Sequence, residues 1–367
     1  MIKINNLFKF LTKNKVNFFT GVPDSILKKT KGYLESKKKN IHISTSNEGS
    51  AVATAIGYHL STKKIPCVYM QNSGLGNAIN PLISTAHPKV YSIPMLLMIG
   101  WRGYPGSNDE PQHLVKGLIT TRLLKLMGIK FCVLKNDNDL KKLKKLLIFS
   151  KKKNIPVACL IKKDILTLET KHSRKKILKG ILREHFIKLL LENISSKTNL
   201  IATTGYASRE LNQIRKKYDL KKGKDFYMVG GMGHSAMVSL GYSLFTKKQT
   251  ICLDGDGSIM MHMGSLANVG NFAEKNYKHI VLNNYGHESV GGQKTFSEKI
   301  NFKFIVKGMG YKKYFLLDKT KDIKKIINKF LASNGPCLLE VIITQKSMNN
   351  LLRPKNFHKI KKKFMKN

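Results

Sequence analysis

The chain contains no run of the roughly 18 apolar residues that a membrane-crossing helix requires, so a membrane-spanning helix is not expected. Cysteine is sparse: Cys67, Cys132, Cys159, Cys252 and Cys337 are scattered and odd in number, and four of them sit within apolar, strand-like runs. That distribution argues against a disulfide framework and for buried free thiols in a reducing compartment, with the cytoplasm as the expected location. Residues 1–15 mix lysine with apolar residues at helical spacing. They lack both a continuous apolar segment and a small-residue cleavage site, so they do not read as a secretory signal. Acidic residues are the other scarcity. Only 22 Asp plus Glu stand against 66 Lys plus Arg, for a net charge of +44. A basic nucleic-acid-binding protein would account for that charge and predicts steeply salt-dependent binding. Yet the lysines are spread over the whole chain in short clusters at 37–39, 141–145, 151–153 and 361–363. Aromatic residues do not interleave with them, and no helix-turn-helix, zinc-finger or RNA-binding signature is present. The excess therefore reads as a solvated surface that steers anionic ligands, with no specific nucleic-acid partner expected.

Present instead is a chain of 367 residues, 42% of them hydrophobic, which is ample for two ordinary domains. The first half alternates apolar, β-rich runs at 18–22, 41–45, 66–70, 91–99, 131–134 and 156–161 with amphipathic helical patterns such as 50–60 and 113–127. After a lysine-rich, poorly patterned stretch and a helix at 184–193, strand-like runs resume at 200–204, 226–229, 250–253, 279–283 and 337–343. Strands alternating with helices of this length predict doubly wound parallel sheets. We expect two α/β domains, 1–168 and 184–367, joined by a linker at 169–183, with no central domain between them. The basic stretch 355–367 reads as a surface helix or a frayed tail.

One motif carries chemistry. Asp254-Gly255-Asp256-Gly257-Ser258 follows the apolar run 250–253, and about 25 residues further on a second apolar run ends in Asn283-Asn284. A β-α-β crossover would set the two strand ends side by side at the carboxyl edge of a parallel sheet, where α/β proteins bind ligands. Glycines there let backbone N–H groups approach phosphate oxygens, and the following helix N-terminus favours their charge. Asp256, Asn284 and the Gly286 carbonyl can each offer one oxygen to Mg²⁺, with diphosphate and water completing an octahedron. Gly-Asp-Gly alone could be a tight turn; the Asn-Asn pair at this distance makes the metal reading the better one.

This arrangement resembles the thiamine-diphosphate signature of the pyruvate-decarboxylase-like enzymes. The resemblance implies thiamine diphosphate and Mg²⁺ as cofactors, a pyrimidine-binding first domain and a diphosphate-binding second domain. Asp256, Asn284 and Gly286 would be the metal ligands, with Gly255, Gly257 and Ser258 at the cofactor. It implies further that Glu48, in Asn47-Glu48-Gly49, meets N1′ of the aminopyrimidine from the other domain across a subunit interface. That requires at least a homodimer. Glu48 read by itself is an acid complementing a helix N-terminus. Gly230-Gly231-Met232-Gly233-His234 is similar to the segment that holds the cofactor bent, with Met232 propping the rings and the Gly230 carbonyl facing the 4′-amino group; Met232 alone would be ordinary core.

The stretches Gly21-Val22-Pro23-Asp24-Ser25, Gln71-Asn72-Ser73-Gly74, Gly100-Trp101-Arg102-Gly103, Asp109-Glu110-Pro111-Gln112-His113 and 287–293 are similar to the two-domain decarboxylases of phosphonopyruvate and, next, of sulfopyruvate. The likeness runs from about 18 to 354. It departs slightly at Leu75 and Tyr285, neither of which is an expected ligand. It implies decarboxylation of a small anionic 2-oxo acid, 3-phosphonopyruvate first, to phosphonoacetaldehyde and CO₂. Asp24 and His113 match positions where related enzymes place an acid and a histidine, and His234 and His287 would hold the anion or shuttle protons. Each histidine also has an ordinary structural reading. Arg102, with Ser73, is the expected substrate-binding residue, because a guanidinium clamps tetrahedral oxyanions. A salt bridge from Arg102 to Asp109 or Glu110 is an equally good account of it.

Overall fold

The computed structural model describes residues 1–168 and 180–366. Most of the expected linker, 169–179, lies outside the described residues. The chain divides into two compact units, Met1–Arg174 and Lys175–Asn367.

The first unit is built on a six-stranded sheet of β1 (Phe19–Gly21), β2 (His42–Ser44), β3 (Cys67–Gln71), β4 (Met95–Gly100), β5 (Lys130–Leu134) and β6 (Pro156–Ile161), in the order β2-β1-β3-β4-β6-β5. Every neighbour pair is parallel. Strands β4 and β6 are buried along their whole length, as the interior strands of a parallel sheet covered on both faces must be. Their continuous apolar runs follow from that position. The run expected at 91–99 becomes a strand only from Met95, after Pro94, which supplies no backbone donor. The sheet separates two apolar clusters, one under Phe8, Phe19 and Leu147, the other under Ala55, Leu82 and Leu124.

The second unit repeats this plan. Its sheet comprises β7 (Asn199–Ala202), β8 (Lys224–Tyr227), β9 (Thr250–Gly255), β10 (Tyr277–Asn283), β11 (Lys313–Leu317) and β12 (Cys337–Ile342), in the order β8-β7-β9-β10-β12-β11, again all parallel. Both sheets thus share one topology. In each, the chain leaves the first strand to one side and returns to build the third strand on the other. The carboxyl ends of those two strands flank a crevice, the place where doubly wound sheets take ligands. β11 was not expected from the sequence. It is an edge strand beginning at an exposed lysine, with a single fully buried residue, Leu317.

The basic C-terminal stretch forms the helix Phe357–Met365, anchored where Phe364 meets the rings of Phe226 and Tyr242. All five cysteines are free, and all but the half-buried Cys132 are buried. Among the described residues no helix is long and apolar enough to cross a membrane.

Candidate active site

In the second unit, β9 and β10 lie side by side with Gly255 opposite Leu282, so Asp256 and Asn283-Asn284 emerge together at the carboxyl edge. Asp256 begins the short helix Asp256–Met261. Its buried carboxylate accepts hydrogen bonds at Oδ2 from the hydroxyls of Thr295 and, at 2.9 Å, Ser297. Burial pushes its pKa up to about 6 against the pull of these hydroxyls and of the Gly257 and Asn284 backbone N–H groups. A carboxylate so poorly solvated lacks positive charge, which a cation would supply.

The two asparagines have different tasks. Asn283 is braced: its Nδ2 donates to Glu340 at 2.7 Å, and its Oδ1 accepts from the Tyr285 N–H at 3.1 Å and lies 2.9 Å from the Ser297 hydroxyl, whose one proton it shares with Asp256. Asn284 donates from Nδ2 to Glu288 at 3.0 Å, while its Oδ1 receives a long 3.2 Å bond from the Gly286 N–H. A buried carboxylate, an amide oxygen and a nearby backbone carbonyl form a hard, all-oxygen donor set, which fits Mg²⁺.

Glycine is required at 257. A Cβ there would stand 2.6 Å from the ring of His287, so the imidazole packs directly onto the glycine backbone. Burial lowers the His287 pKa to about 4, leaving the ring neutral near pH 7. The Ser258 hydroxyl is committed internally: it bonds Thr203 Oγ1 at 3.0 Å, beyond the end of β7, and accepts from the Gly233 N–H at 3.1 Å. That second bond ties the 230–234 loop to the Asp256 motif. Gly231 and Gly233 hold φ of 64° and 90°, values that favour glycine and let the loop turn over the motif. Met232 is half-buried, and His234 is exposed and stacks on His262 at 4.6 Å.

In the first unit, Asp24 follows β1 and Gln71 ends β3, on the two sides of the crevice. The buried Asp24 accepts from Gln71 Nε2 at 2.6 Å and from the Leu27 N–H at 3.1 Å. Burial raises its pKa against these bonds and the nearby Arg102 charge. Ser73 donates to Gln71 Oε1 at 3.0 Å, fixing which face of the amide meets Asp24. Arg102 meets Asp109 through Nε at 2.9 Å and through a second nitrogen, while its remaining nitrogen lies 3.5 Å from the Ser25 hydroxyl. The salt bridge to Asp109 is therefore present, and it aims the rest of the guanidinium toward Ser25. Burial would raise the Asp109 pKa, but Arg102, the Glu110 N–H and His113 together bring it down to about 2. His113 stands in the first turn of the helix Pro111–Leu126. That helix packs so tightly on the Arg102-Gly103 turn that a Cβ on Gly117 would reach 1.6 Å from the Gly103 carbonyl.

Glu48 opens the helix Glu48–Thr62, capped by the Asn47 side chain. It is buried, with Oε2 accepting from Asn77 Nδ2 at 2.8 Å. Gly74 makes room for it, since a Cβ there would fall 2.2 Å from Oε1. A helix-terminal acid complementing the dipole would normally face solvent, so burial against a neutral amide donor sets this glutamate apart.

The sequence did not assign roles to Gln71, Asn77, Thr295, Ser297, Arg183 or Glu288. Gln71 and Glu288 lie within the quoted stretches 71–74 and 287–293, and Asn77 lies just beyond the first of them; Thr295, Ser297 and Arg183 reach the site from segments with no local pattern.

Residues 4–120 match the family model for thiamine pyrophosphate enzymes, N-terminal TPP binding domain, and residues 203–341 match the C-terminal TPP binding domain. Among curated proteins, phosphonopyruvate decarboxylase of Streptomyces viridochromogenes is 32% identical, the alignment covering 97% of this chain and 92% of the relative. Phosphonopyruvate decarboxylase of Streptomyces hygroscopicus is 31% identical over 99% and 93%. Sulfopyruvate decarboxylase of Methanosarcina acetivorans is 24% identical over 84% and 83%. The chain belongs to the thiamine pyrophosphate enzyme family. Within it the chain stands among the decarboxylases, and its two units carry the two thiamine-pyrophosphate-binding domains.

Proposed function

We propose that the chain decarboxylates 3-phosphonopyruvate to phosphonoacetaldehyde and CO₂, as a step in phosphonate biosynthesis of the 2-aminoethylphosphonate type, using thiamine diphosphate with Mg²⁺. The observation that carries this reading is the likeness, over nearly the full length of both partners, to two phosphonopyruvate decarboxylases. In the reaction the bond between the carboxylate and the keto carbon breaks, CO₂ leaves, and a proton takes its place on the former keto carbon. Bound thiamine diphosphate supplies the electron sink for the pair left on that carbon.

The chain's own residues bind, orient and move protons. Asp256, Asn284 and the Gly286 carbonyl would hold Mg²⁺, and the Gly255–Ser258 backbone would receive the diphosphate. Gly230 and Met232 would position the aminopyrimidine and thiazolium rings. Glu48 would hold N1′ of the aminopyrimidine. The Asn77 amide, 2.8 Å from Oε2, fixes the carboxylate. Asp24, kept protonated to higher pH by burial, suits proton delivery, and His113 would be the other member of the relay. The neutral His287 and the exposed His234 would serve proton transfer or the anionic end of the substrate. Arg102, anchored by Asp109 and 3.5 Å from the Ser25 hydroxyl, would with Ser73 offer donors to a tetrahedral oxyanion. Domains 1–168 and 184–367 would meet in a homodimer with each site at a subunit interface, in the cytoplasm, with no specific nucleic-acid partner.

Sulfopyruvate is the second reading, favoured by the sulfopyruvate decarboxylase likeness and by a donor set that meets either tetrahedral anion. A CO₂-release assay with phosphonopyruvate, sulfopyruvate and pyruvate, with and without thiamine diphosphate and Mg²⁺, tests both. Cofactor-dependent release fastest from phosphonopyruvate is the expected result. Equal rates on the two anions sink the substrate assignment, and cofactor binding without turnover of any 2-oxo acid sinks the reaction.

A further inference from the structure

The Asn284 amide is held at both ends, its Oδ1 by the Gly286 N–H at 3.2 Å. Its Nδ2 donates to Glu288 Oε2 at 3.0 Å, and that same oxygen accepts from an Arg183 nitrogen at 2.6 Å. Arg183 is buried and gives another nitrogen to Glu210 Oε1 at 2.9 Å; Glu210 also receives the Met348 N–H at 3.1 Å. The Tyr206 ring lies 5.7 Å from the guanidinium. Arg183 therefore has little freedom, and Glu288 is fixed through it.

We infer that Glu288, held by Arg183, is a positioning residue for the metal site: it fixes the Asn284 amide so that its oxygen, not its nitrogen, is presented to the cation. An asparagine amide can flip at little intrinsic cost, and the flipped rotamer would offer N–H donors where an acceptor is needed. A carboxylate on Nδ2 removes that alternative, because it accepts and cannot donate while ionised. Outer groups that orient ligands in this manner commonly change metal affinity about 10- to 100-fold when removed.

The inference rests on the Asp256–Asn284 metal reading, and the test separates the two. Mn²⁺ binding to the purified, cofactor-free protein, and again with thiamine diphosphate, is followed by electron paramagnetic resonance for wild type, Glu288→Ala and Glu288→Gln. Glu288→Gln keeps an acceptor oxygen for Asn284 Nδ2 and should bind Mn²⁺ within about threefold of wild type. Glu288→Ala should bind 10- to 100-fold more weakly while thermal melting shows it folded. No Mn²⁺ site in wild type overturns the metal reading itself. A wild-type site that Glu288→Ala leaves unchanged, or that both variants weaken equally, overturns the positioning role alone. Should Glu288→Ala fail to fold, Arg183→Lys, which keeps a charge but loses the two-armed grip, is expected to weaken Mn²⁺ binding; unchanged affinity there overturns the inference.

Discussion

The two units have the same strand order, yet the acids at their strand ends are held by different chemistry. In the first, Asp24 and Glu48 are each held by a neutral side-chain amide, Gln71 and Asn77. Amides satisfy a carboxylate without neutralising it. In the second, Asp256 is held by two hydroxyls and by backbone N–H groups, next to an amide oxygen and among glycines. That environment suits a cation and the oxygens of a diphosphate. One topology thus presents amide-held acids at one sheet edge and a hydroxyl-held acid beside an amide oxygen at the other, because topology fixes where strand ends meet but not what stands there.

The largest test of this division removes one acid from each side. Glu48→Gln should keep thiamine diphosphate binding while turnover falls by roughly 10²- to 10⁴-fold, the usual scale for losing a positioned acid–base group. Asp256→Ala should instead abolish Mg²⁺-dependent cofactor binding, measured by equilibrium dialysis. Surviving activity in Glu48→Gln removes the glutamate from N1′, and normal cofactor affinity in Asp256→Ala removes the aspartate from the metal.

A second pair sharpens the contrast through glycines alone. Gly74→Ala places a Cβ 2.2 Å from Glu48 Oε1, and Gly257→Ala places one 2.6 Å from the His287 ring. Displacing the glutamate by an ångström should cost turnover, by up to about 10²-fold, with cofactor affinity nearly unchanged. Gly257→Ala should show the reverse, weaker cofactor binding with a smaller loss of turnover at saturation. If both variants lose binding equally, the two crevices are not specialised as described.

What was legible in the sequence follows a physical divide. Strands buried on both faces announce themselves as apolar runs, as β4 and β6 do, and the expectation for 156–161 matches β6 to the residue. Edge strands are legible too, since β2, β5 and β8 were expected at 41–45, 131–134 and 226–229; β11 is the exception, missed although Lys313–Leu317 is mostly apolar and aromatic. At the site, Asp256 and Asn283-Asn284 were legible because each directly follows an apolar strand. Thr295 was not, since it reaches Asp256 from 39 residues away, and neither was Arg183, whose partner Glu288 lies 105 residues on. Spacing encodes what neighbouring strand ends bring together. Packing of distant segments leaves no local signature.

The smallest expected effect concerns the two arginine networks. Arg183 is buried between two carboxylates, whereas Arg102 and Asp109 keep some contact with solvent. Burial pushes the Asp109 carboxyl up, but Arg102, the Glu110 N–H and His113 carry it down to about 2, below the usual 3.8. A carboxyl with a depressed folded pKa adds stability above its unfolded value and loses it as pH falls through the folded one. Asp109→Asn should therefore melt a few degrees below wild type at pH 7, as befits a pair that solvent partly screens. That gap should hold down to about pH 5 and close as pH falls from about 4 toward 2, where wild type loses the same interaction. Melting curves across this range decide it. A gap as wide at pH 2.5 as at pH 7 would mean that Asp109 acts through its shape and hydrogen bonds, not through its charge, and Arg102 would then need another anchor for its place beside Ser25.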